Sequence, residues 1–129
     1  MEYGYGRELE ATVEEVLERT RASLQREGFG ILFEINLDEK MKEKLGVDFR
    51  RYVVLGACNP GIAYESLQEE IALGLLLPCN VIVYEGDGPG RSVVAAIDAE
   101  KMMKVTGNEK LSGAADRVNG MLERVIAGV

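Results

Sequence analysis

Two long amphipathic stretches stand near the ends of this chain, and between them the apolar residues change to the two-residue period of strands. That order constrains the fold more than any motif does. A helix buries one stripe and a half-covered sheet buries one face, so helices that bracket a run of strands leave the strands to pair with one another. The expectation is an α+β fold with an antiparallel sheet, and not a doubly wound α/β fold in which every strand is followed by a helix. With 129 residues the chain has the size of one compact core, so residues 1–129 are read as a single domain.

Met1 to Gly6 alternates Tyr3 and Tyr5 with small residues and suits a short strand at a sheet edge. Thr12 and Glu15 then have the spacing of a capping box, so a helix is expected to begin near Val13. Leu9, Val13, Val16, Leu17, Thr20 and Leu24 step by three and four, Glu15 stands four before Arg19, and Gly28 is placed to end the helix in a left-handed conformation. From Phe29 to Ile35 the pattern alternates and predicts a strand with Ile31, Phe33 and Ile35 on one buried face. Asn36 and Glu39 make a second cap-like pair before a short helix with Leu37, Met41 and Leu45, stopped by Gly46.

Arg51 to Ala57 is rich in β-formers and reads as a central strand. Asn59 is a good cap and Pro60 suits a first helical position, so a helix is expected from Pro60 to about Glu70. Ile71 to Leu77 is too short and too uniformly apolar for its period to decide between helix end, strand and buried loop, and Pro78 breaks it. Cys79–Glu85 and Arg91–Ile97 flank the glycine-rich run 86–90 and predict a hairpin. Asp98 can cap a short segment holding Met102 and Met103, Thr106 to Lys110 reads as loop, and Leu111 to Ile126 carries the broad apolar stripe of the last helix.

Composition then removes functions. The chain has no His, so it has no Ser-His or Cys-His pair and no His-ligated zinc. Its formal net charge of -7 opposes a phosphate backbone, and no basic stripe appears, so nucleic acid is not expected as a partner. The longest apolar run, Ile71 to Leu77, falls far short of the ~20 residues of a membrane span. No basic start with an apolar run opens the chain, so a cytoplasmic location with reduced cysteines is expected. The glycine run 86–90 lacks the Lys and Ser/Thr of a phosphate loop and precedes a strand, which leaves it a hairpin turn.

The dipeptide Cys-Asn occurs twice, as Cys58-Asn59 followed by Pro60 and as Cys79-Asn80 preceded by Pro78. Cys58 ends a predicted strand just before a predicted helix N-terminus, where amide hydrogens and the helix dipole favour a thiolate. If the strands ending at Cys58 and beginning at Cys79 are antiparallel neighbours, both thiols lie at one end of the sheet and could approach each other. Buried structural cysteines and plain helix capping account for the same residues. Cys58, Asn59, Pro60, Pro78, Cys79 and Asn80 are therefore the candidate ligand or thiol site, and the Asn59–Gly61 helix start could receive an anion. A zinc site would need two further ligands, so neither a resident metal nor another cofactor is expected, and two thiolates could at most hold a soft ion such as Cu(I).

The segments Gly56, Ala57, Cys58, Asn59, Pro60 and Leu75, Leu76, Leu77, Pro78, Cys79, Asn80, Val81 resemble the signature of the domain of unknown function family numbered 302. Gly28, Phe29, Gly30 and Val83, Tyr84, Glu85 extend the resemblance over nearly the whole chain. It implies a small α+β domain of TATA-box-binding-protein-like topology: a curved antiparallel sheet of about five strands, two long helices on one face, short extra helices, and frequent pairing as a homodimer. It implies no reaction, and shared architecture does not carry DNA binding with it. The expected function is a homodimeric binding or interaction module with a small site for a molecule or anion near the Cys-Asn motifs. The alternative is a thiol-dependent redox, sulfur-handling or soft-metal protein using Cys58 and Cys79.

Overall fold

A computed structural model describes all residues, Met1–Val129. The elements run β1 (Gly4–Leu9), α1 (Val13–Arg26), β2 (Gly30–Asn36), α2 (Leu37–Leu45), β3 (Tyr52–Cys58), α3 (Pro60–Glu69), a 3-10 turn (Ile71–Leu75), β4 (Cys79–Glu85), β5 (Ser92–Ile97), α4 (Ala99–Lys104), a second 3-10 turn (Glu109–Leu111) and α5 (Ser112–Ala127). The strands form one open antiparallel sheet in the order β1-β5-β4-β3-β2. This is the α+β architecture that the bracketing helices imply.

Local chemistry sets the helix ends. Thr12 Oγ1 accepts from the Glu15 amide at 3.2 Å and Glu15 Oε2 accepts from the Thr12 amide, so the capping box forms. Gly28 follows α1 at φ +85°, a conformation that costs glycine little. Asn59 Oδ1 caps α3 by accepting from the Ile62 amide at 3.1 Å, with Pro60 at the first position. Asn36 departs from its expected capping role: its side chain caps nothing, and its Oδ1 accepts from Arg51 at 2.7 Å instead.

Register sorts every strand residue onto one of two faces. The row Glu34, Leu55, Val81, Ala96, Tyr5 and the row Asn36, Val53, Val83, Val94, Arg7 point toward the helices. There Val53, Leu55, Val81, Val83 and Val94 meet Val16, Leu17 and Leu24 of α1 and Val118, Leu122 and Val125 of α5 in one core. Ser23 Oγ donates to the Val125 carbonyl at 2.7 Å and joins the two long helices. A smaller cluster of Leu73, Met103, Leu111 and Ala115 lies beside that core, which makes Met103 a packing residue.

The opposite face carries three other rows. They are Phe33, Gly56, Asn80; then Ile35, Val54, Ile82, Ala95, Gly6; and then Tyr52, Tyr84, Val93, Glu8. Tyr52 and Tyr84 stack with centroids 5.2 Å apart, and Phe49 stands 6.2 Å from Tyr52. None of these residues belongs to the helix-packed core. Phe33, Ile35 and Phe49 are exposed.

Several boundaries and one pattern differ from the sequence reading. β1 is the expected edge strand, but it lies at Gly4–Leu9, where its backbone pairs with β5 from Ile97 to Ser92, and Arg7 ties it to α5 by donating to the carbonyls of Ile126 and Ala127. The ambiguous run after α3 is a 3-10 turn, and the loop after α4 closes in another. β2 has no buried face at all. Its register shifts between Ile31 and Phe33, so Ile31 pairs with Ala57 on the helix side while Phe33 and Ile35 fall on the open side. A single bulged residue, Leu32, breaks the alternation and separates side chains that the two-residue period places together.

Candidate functional site

β3 ends at Cys58 and β4 begins at Cys79, and these strands are antiparallel neighbours with Ala57 opposite Cys79. Both Cys-Asn motifs therefore meet at one end of the sheet, as expected. Alternation then divides the second motif. Cys79 shares the helix-side row with Ala57 and Ile31, and Cys58, opposite Gly30 at the strand end, lines the same small cavity as Cys79, whereas Asn80 falls on the open side. The cysteines are adjacent along the sheet edge, and both are free thiols.

Burial decides their chemistry. Cys79 is 5% exposed, and desolvation, with a smaller repulsion from Cys58, pushes its thiol up to about 11. Burial also raises Cys58 above the ordinary thiol value, although the N-terminus of α3 follows directly. At neutral pH both are therefore held as thiols, the opposite of the depressed pKa that activates a nucleophile or metal ligand. No three His, Cys, Asp or Glu side chains converge as metal ligands would.

Asn59 is fully engaged, since Oδ1 caps α3 and Nδ2 donates to the Gly28 carbonyl at 3.3 Å. That leaves the helix N-terminus with its own cap, and an incoming anion would have to displace it. Beneath it lies a cavity bordered by Asn59, Cys58, Cys79, Ser66, Met103 and Val118, with ≈ 20 Å³ of room for a water-sized sphere. That is space for about one water molecule. Ser66 Oγ, on the buried side of α3, has no hydrogen-bond partner. Sequence reading missed Ser66, although its position four residues after Ile62 places it on the buried stripe of α3.

Asn80 belongs to a different environment. It lies on the open face opposite Gly56 and borders a hollow of ≈ 190 Å³ with Met1, Tyr3, Gly4, Ile82 and Ile97. Pro60 starts α3, and Pro78 follows Leu77 through a cis peptide bond. The six candidate residues thus form one structural corner with two separate exits: a one-water cavity under the helices and a shallow hollow on the bare sheet.

The fold and this corner define a small α+β domain with helices on one side of an antiparallel sheet and a paired Cys-Asn junction at one end. The model of the family described as Domain of unknown function DUF302 matches residues 5–129, and the chain belongs to that family. A solved structure described as an uncharacterized conserved protein DUF302 from Bacillus stearothermophilus is similar to it at 28% identity. The match covers 98% of each chain with a TM-score of 0.89. Comparison with curated proteins finds no match.

Proposed function

We propose that this chain is a homodimeric binding or interaction module of the cytoplasm and not a thiol enzyme. The observation that carries the reading is the bare sheet face, on which Phe33, Ile35, Val54, Ile82, Tyr52 and Tyr84 form a continuous apolar surface without a helix layer. Exposed apolar area of that extent marks a contact surface. The state of the two thiols supports the same reading, because burial keeps both protonated.

The small-molecule part of the reading attaches to Asn80 and not to Asn59. Asn80 makes no side-chain hydrogen bond within the chain and borders the larger hollow, whereas both ends of the Asn59 amide are occupied. Light scattering on the purified chain tests the module directly. A mass of twice 14.2 kDa at micromolar concentration is expected, and a mass of 14.2 kDa throughout would overturn it.

A further inference from the structure

We infer that the small cavity under α3 is a binding site for one soft monovalent metal ion, Cu(I), held by the sulfurs of Cys58 and Cys79 with the Met103 thioether as a third donor. The site stands apart from the open sheet face and does not depend on self-association.

Cys58 ends β3, Cys79 begins β4 and Met103 lies in α4, yet all three border the same cavity. With ≈ 20 Å³ of room, it admits a guest of about one atom, walled by three sulfur side chains. No Asp, Glu, Lys or Arg borders it, the chain has no His, and both ends of the Asn59 amide are engaged. A hard ion such as Mg(II) needs about six oxygen ligands and structural zinc a full tetrahedral set, so neither finds its ligands here. Thiolate and thioether donors select Cu(I), which two or three of them satisfy.

Ser66 is a separate observation that points to the same guest. It is 2% exposed, it borders this cavity, and its Oγ has no hydrogen-bond partner. A free hydroxyl is a donor for a sulfur that has become negative. The N-terminus of α3 follows Cys58 directly, and its positive end favours the same negative charge. Between them they offset the cost of a dithiolate among the apolar walls of Phe29, Ile62, Leu77 and Val118.

Uptake replaces two S–H bonds by two S–Cu bonds. Both protons pass to solvent, and copper keeps its +1 state, so no electron is transferred. Burial holds both thiols protonated in the empty chain, which admits only an ion whose thiolate bonds outcompete the proton at neutral pH. That requirement turns away borderline ions and passes a soft one. Cys58 is partly exposed and gives the ion its way in, and the net charge of -7 draws cations toward the chain.

Anaerobic titration of the purified chain with Cu(I), kept reduced by ascorbate and held in competition with bicinchoninate, tests the site. One Cu(I) per chain is expected, undisturbed by an equal concentration of Zn(II). Cys58→Ser, at a partly exposed position and expected to fold, should weaken binding by about 100-fold or more, and Ser66→Ala and Met103→Leu by about 10-fold each. Met102→Leu, next in the chain but not bordering the cavity, should leave affinity unchanged. No uptake from bicinchoninate, one ion per two chains, or a Cys58→Ser affinity within threefold of wild type would each overturn the site. Binding that neither Ser66→Ala nor Met103→Leu alters would place the ion outside the cavity and overturn it too.

Discussion

The ring of Phe33 lies flat over Gly56, so that a Cβ built on the glycine would stand 2.5 Å from Phe33 Cε2. The two are cross-strand partners on β2 and β3. An aromatic ring covering a strand glycine shields the backbone that glycine exposes and holds the register on the open face. Gly56→Ala is therefore expected to destabilise the wild type by about 1–2 kcal/mol, because the ring must leave its seat. In a Phe33→Ala background the same substitution should be neutral or stabilising, since alanine then meets no ring. Urea denaturation of the four-member cycle measures the coupling, and equal effects in both backgrounds would refute the contact.

The buried thiol gives a pH dependence with a definite sign. Cys79 is neutral in the folded chain up to about 11, against an ordinary value of 9.0. Its folded value is raised, so its contribution to stability is whole below pH 9.0 and is lost as pH rises through about 11. Relative to Cys79→Ala, wild type should lose on the order of 2–3 kcal/mol more across that window. In the native state at pH 7 a chromogenic disulfide reagent should leave Cys79 unmodified until denaturant is added. Rapid native labelling of Cys79 would revive the thiol alternative.

Ser66 Oγ is buried without a partner in a cavity of one-water size. Ser66→Ala removes a polar atom that gains nothing from folding, so stability should stay level or rise by up to about 1 kcal/mol. A loss of more than about 1 kcal/mol in thermal unfolding would show that the hydroxyl is paired, through a bound water, more strongly than this reading allows.

Much of this fold was legible because its signals are local. Thr12 with Glu15, Asn59 with Pro60, and Asp98 before α4 each fix a helix start through bonds within three residues. The β4–β5 hairpin and the meeting of Cys58 with Cys79 follow from pairing neighbouring strands. What escaped depends on distant residues. The bulge at Leu32 leaves the apolar spelling of β2 untouched yet moves Phe33 and Ile35 to the side without helices. Likewise, the division of the Cys-Asn corner into two exits comes from sheet alternation combined with a helix layer on one side only, so Cys79 faces the cavity under the helices while its neighbour Asn80 faces the open hollow.

Self-association of the proposed module is tested most directly by sedimentation equilibrium of the wild-type chain beside Ile35→Glu, a substitution on the exposed open face, with Tyr64→Glu on α3 as the control and native circular dichroism as the check of folding. The account predicts a wild-type mass of twice 14.2 kDa, a pairing that Ile35→Glu weakens by about 100-fold and Tyr64→Glu leaves unchanged. A wild-type mass of 14.2 kDa throughout would contradict it.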